Sequence, residues 1–125
     1  MRIPGVKLSK VQSWLVLIFW AAASFALVMA LLPKPPHLPG SPSDKVQHIL
    51  AFSVLAALGA SAYPLVRLLK IGVALSIFGA LIEVLQAIPQ LHRDASALDW
   101  LADTAAVAVV LALICFIRMS PRRVA

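Results

Sequence analysis

The 125-residue chain is 62% hydrophobic and 13% charged, whereas a soluble globular domain is about half apolar and about a quarter charged. Its formal charge is +6, yet the basic residues lie in separate segments rather than in one patch, which argues against a nucleic-acid partner. The single cysteine, Cys115, excludes an internal disulfide and a cysteine pair for a metal.

The apolar residues form four blocks, each close to the roughly 20 residues that a helix needs to cross a hydrocarbon core of about 30 Å. They predict helices at Gln12–Leu32, Val46–Val66, Ile71–Pro89 and Asp99–Ile117. The expected fold is all-α: an integral membrane four-helix bundle, antiparallel and up-down, forming one domain over residues 1–125. Arg2, Lys7, Lys10, Arg67, Lys70, Arg118, Arg122 and Arg123 fall on one side of such a bundle, and only Lys34, Lys45 and Arg93 on the other. Cytoplasmic connections carry the excess of Lys and Arg, so both termini are expected in the cytoplasm.

Arg2, Lys7 and Lys10 precede the first block as in a signal sequence. Its apolar run exceeds the about 7–15 residues of a signal core and no small-x-small cleavage site follows, so a retained helix is expected. Trp14 suits the interfacial belt. The external segment 33–43 contains PKPPHLPGSP and should be extended, since proline removes a donor and restricts the residue before it. His37 within it reads as a solvated loop residue, and Ser43 with Asp44 as the start of the next helix.

The second helix opens DKVQH, where Asp44 and His48 share a face and Lys45 lies beside them at the membrane surface. In the third, Glu83 and Gln86 line one stripe, with Glu83 about 9 Å from the external end set by Pro89. An unpaired carboxyl group at that depth costs about 2–3 kcal/mol, so it should face the bundle interior and find a partner, for which Lys45 and Arg93 are the candidates. The external turn supplies Arg93 and Asp94. Ser96 and Asp99 have capping-box spacing. Asp99 and Asp103 share a face of the fourth helix, with Trp100 at the interface, and the apolar run after them has no feature beyond small residues. Cys115, near the inner end of that helix, is expected to be buried.

Four of the five acids lie between Glu83 and Asp103, and the topology puts every acid and every histidine in the external half. His48, Glu83, Gln86, Asp99 and Asp103 then reach similar depths from three helices, which predicts one shared polar site. The alternative is a network that only fixes helix register, with Glu83 neutralised by Lys45 or Arg93 and the aspartates capping the fourth helix.

DKVQH at Asp44–His48, IEVLQ at Ile82–Gln86 and HRDASALDWLADTAA at His92–Ala106 resemble the VanZ-like family. The family pattern runs Asp-Lys-x-x-His, then Glu-x-x-Gln, then Arg-x-x-Ser-x-x-Asp-x-x-x-Asn and glycines. The resemblance spans about residues 44–113 and singles out Asp44, Lys45, His48, Glu83, Gln86, Arg93, Ser96 and Asp99. The family asparagine is Asp103 here, its glycines are Ala105 and Ala106, and its aromatic position is Phe52. The family namesake is associated with low-level teicoplanin resistance, so the resemblance implies a small multi-pass protein of the bacterial inner membrane and cell envelope, with no reaction attached.

Two functions from different classes follow as expectations. One is a non-enzymatic envelope protein whose outward-facing pocket binds a lipid or lipid-linked saccharide head group, or a partner protein. Lys45 and Arg93 would meet phosphate or carboxylate there, and Glu83, Gln86 and Asp99 hydroxyls or amides. The other is an intramembrane hydrolase or transferase acting on an envelope lipid, with His48 as base and Glu83 or Asp103 as acid or as ligand of Zn²⁺ or Mn²⁺. Charges near one surface and the absence of an internal repeat argue against a transporter.

Overall fold

The computed structural model describes residues 9–32, 44–91 and 95–120. Four helices account for most of them: α1 (Lys10–Leu31), α2 (Asp44–Ala62), α3 (Leu68–Gln86) and α4 (Ala97–Met119). Each is long and apolar enough to cross a membrane, with mean hydropathy of 1.3 over Lys45–Ala62 in α2 and 2.1–2.3 in the others. The protein is an all-helical, multi-pass membrane protein. Its outer surface explains why: Leu17, Phe25, Leu69, Ile77, Val84, Val109 and Phe116 all point outward and are 59–77% exposed. Such a surface needs a hydrocarbon solvent, because contiguous apolar area of this extent aggregates in water.

Helix boundaries follow local chemistry more closely than the apolar blocks do. Ser9 caps α1, its side chain accepting from the Gln12 N–H at 3.1 Å. α2 stops at Ala62, four residues short of the expected Val66, because Tyr63 precedes Pro64 and is pushed from the helical region. α3 stops at Gln86 rather than Pro89 for the same reason one step removed: Ile88 precedes Pro89, and Pro89–Leu91 form a separate 3-10 turn. α4 begins at Ala97, two residues before the expected Asp99, with Ser96 extended at its N-cap. The Pro-rich 33–43 connection, with His37 and Ser43, lies outside the described residues, as does Asp94.

Helix α2 packs against all three others, and α1 and α4 both also touch α3. The core holds Phe52, Leu55, Ala56 and Ala60 of α2, Ile71, Leu75 and Ile82 of α3, Val107 and Leu111 of α4, and Ala30 of α1. Ala56 and Ala60 are fully buried, as expected where small residues let helices approach closely. At Gly59 the approach is close. A Cβ there would lie 3.2 Å from Phe19 of α1 and 3.3 Å from Ile71 of α3.

Polar ties gather at the two ends. At one end Gln12 Nε2 donates to Ala62 O (3.3 Å), Trp20 Nε1 to the Tyr63 hydroxyl (2.7 Å) and Arg118 Nη2 to Ala60 O (3.1 Å). At the other end Gln86 Nε2 donates to Ala30 O at 2.9 Å, closing the last turn of α1 against that of α3. Between them, Ser76 and Thr104 hydroxyls meet at 3.0 Å and Trp100 Nε1 donates to Ser76 O at 3.0 Å, binding α3 to α4. Trp100 is therefore partly buried between helices, beside Gly79. Cys115 is exposed, not buried; its thiol meets Met119 Sδ at 3.8 Å on the outer face of α4.

Candidate functional site

The end of the bundle that holds the start of α2, the end of α3 and the start of α4 also holds the buried ionisable groups. His48 lies four residues into α2, about 6 Å along its axis. Glu83 lies three residues before the end of α3, about 5 Å in, nearer the end than expected because the helix closes at Gln86. Asp103 lies six residues into α4, about 9 Å in. One potential ligand atom from each of the three falls within 4.8 Å of the others.

Asp103 is the most enclosed, 1% exposed, with Oδ2 3.3 Å from His48 Nδ1. Asp103 lies beyond the first turn of α4, so the helix dipole gives its charge little help. Glu83 sits at the opposite, unfavourable end of α3 and takes its stabilisation from α4. Its Oε2 accepts the Ser96 backbone N–H at 2.8 Å. That N–H is an unsatisfied donor of the α4 N-terminus, which a capping box would hand to the acid three residues on, here Asp99. The expected Ser96/Asp99 box does not form: Ser96 makes no side-chain cap bond, and Glu83 from another helix takes the acid's place. Asp99, half-buried in the first turn of α4, instead adds its charge to the field at both His48 and Glu83.

The second oxygen of each carboxylate is the unusual feature. Glu83 Oε1 and Asp103 Oδ1 are buried and have no hydrogen-bond partner among the described residues. A buried acceptor left unmade in this way costs about 1–3 kcal/mol. Native structures keep few such atoms, and those they keep call for a reason such as an ion or water.

The sequence candidates therefore separate. His48, Glu83 and Asp103 converge, with Ser96 joining through its backbone and Asp99 beside them. Gln86 is buried and gives one amide N–H to Ala30 O, so it ties α1 to the bundle. Lys45 is exposed and does not neutralise Glu83. Of Asp44 the structure describes only its place as the first residue of α2, and Arg93 lies outside the described residues. The Ser76–Thr104 pair went unread in the sequence; two hydroxyls inside apolar runs were the available signal. Below the triad, Phe52 is one turn beyond His48, 2% exposed and packed under Gly79, forming an apolar floor. No family model, no curated protein and no solved structure matches this chain.

Proposed function

We propose that this is a VanZ-like protein of the bacterial cytoplasmic membrane. In this reading the bundle is antiparallel and up-down, with both termini cytoplasmic and the polar site facing outward, where it binds a lipid or lipid-linked saccharide head group without catalysis. The observation that carries the binding reading is the pair of buried, unpartnered acceptors, Glu83 Oε1 and Asp103 Oδ1, beside His48 at one end of the bundle. Capping and register need no such atoms. The DKVQH, IEVLQ and HRDASALDWLADTAA segments support the family, and the distribution of Lys and Arg supports the orientation. Lys45, Ser96 and Asp99 lie at the same end of the helices, and the carboxylates wait for a hydroxyl or amine. Gln86 gives one amide N–H to Ala30 O and keeps its side-chain carbonyl and second N–H for a ligand.

The test is a lipid and partner survey of the full chain purified in detergent, wild type against Glu83→Gln. A specific lipid or envelope partner should co-purify with wild type and be lost from the variant at unchanged membrane abundance. Equal lipid content in both, or loss of abundance in the variant, sinks the reading.

A second reading has its own observation. A histidine 3.3 Å from a buried aspartate is the arrangement of an oriented general base, and Glu83 beside it suits a general acid. A hydrolase or transferase acting on an envelope lipid would use it, and turnover that vanishes in His48→Ala would favour this over simple binding.

A further inference from the structure

We infer that His48, Glu83 and Asp103 form a binding site for one divalent transition-metal ion, of the Zn²⁺ or Mn²⁺ type. Each offers a ligand atom from a different helix, all within 4.8 Å. Tetrahedral bonds of about 2.0–2.1 Å set ligand atoms about 3.3 Å apart, which is already the His48 Nδ1–Asp103 Oδ2 distance of 3.3 Å. Small side-chain shifts bring in Glu83. Charge points the same way: two carboxylates and a neutral imidazole carry −2, which a divalent cation cancels next to the buried, apolar Phe52. The acceptors Glu83 Oε1 and Asp103 Oδ1 are buried and unpartnered among the described residues, and an ion of atomic size would satisfy them. The Ser96 N–H on Glu83 Oε2 is the outer hydrogen bond that orients a ligating carboxylate. Three protein ligands leave a fourth position for water or a phosphate oxygen, the pattern of an open site. The ion would then link the buried acids to the head group proposed above.

The inference rests on the same three groups as the head-group reading, but the two can fail separately. Full-length protein in detergent, stripped with a chelator, is dialysed against Zn²⁺, Mn²⁺ or Co²⁺, and metal and lipid contents are read from the same sample. About one ion per chain should remain bound. Asp103→Asn and His48→Ala should each weaken it by more than the about 10–100-fold that losing an outer partner costs, while Ser76→Ala keeps it. Co²⁺-loaded wild type should show the intense visible bands of a low-coordinate site, a readout that needs no variant to fold. Lipid retained with no metal bound, octahedral-type Co²⁺ spectra, or metal binding indifferent to both site variants would each overturn the metal site. Metal bound without any specific lipid would leave it standing and remove the head-group reading.

Discussion

At the scale of single residues, Glu83 and Gln86 sit one turn apart on α3 and do opposite work. Gln86 ties α3 to α1, one amide N–H donating to Ala30 O at 2.9 Å. Glu83 is half-satisfied, one oxygen on Ser96 and the other unpartnered among the described residues. Their neutral substitutions should therefore diverge in metal-free protein. Gln86→Leu removes a buried tie between α1 and α3 and should cost about 1 kcal/mol, lowering the temperature of half-unfolding in detergent. Glu83→Gln removes a buried charge and adds a donor, and should leave that temperature equal or higher. A Glu83→Gln protein less stable than Gln86→Leu would make Glu83 a structural residue.

At the scale of elements, α2 owes its central place to small residues at its contacts. The glycines differ in how much space they guard. A Cβ at Gly79 would meet Phe52 at 3.4 Å and Trp100 at 3.5 Å, ordinary contact distances, whereas at Gly59 it meets Phe19 at 3.2 Å and Ile71 at 3.3 Å. Gly79→Ala should thus fall within about 1 kcal/mol of wild type, helped by alanine's better helix propensity. Gly59→Leu should disrupt the α1–α2–α3 junction by overpacking, costing about 1–3 kcal/mol or more. Thermal unfolding monitored by helical circular dichroism separates them, and equal curves for the two variants would refute the packing argument. A Gly79→Leu change would press on Phe52 and Trp100, and through Phe52 on the floor of the site.

For the whole molecule, the buried carboxylates gather at one end, so orientation decides what the His48–Glu83–Asp103 site meets. Cysteine labelling in intact cells, in a Cys115→Ala background, reads orientation directly. Ala95→Cys, exposed beside Ser96, should react with a membrane-impermeant maleimide from outside. Ser120→Cys, just past the end of α4, should react only after permeabilisation. The reverse pattern would put the site in the cytoplasm and end the envelope reading.

Sequence by itself determined the class of solvent, the number of helices and the end at which the ionisable groups gather. Blocks of about 20 apolar residues have one stable environment, and charges inside such blocks are costly enough to be placed deliberately. It also named His48, Glu83 and Asp103 among its candidates. Helix ends at Ala62 and Gln86 were legible in principle from Pro64 and Pro89, but an apolar run does not stop where a helix does. What only the tertiary structure decided is who meets whom. Glu83 pairs with the Ser96 N–H rather than with Lys45, Gln86 turns to Ala30, Trp100 goes inside and Cys115 outside. The physical reason is that periodicity assigns a residue to a face and a depth, while partners depend on helix rotation and separation, which packing of side chains such as Phe52, Phe19 and Ile71 sets.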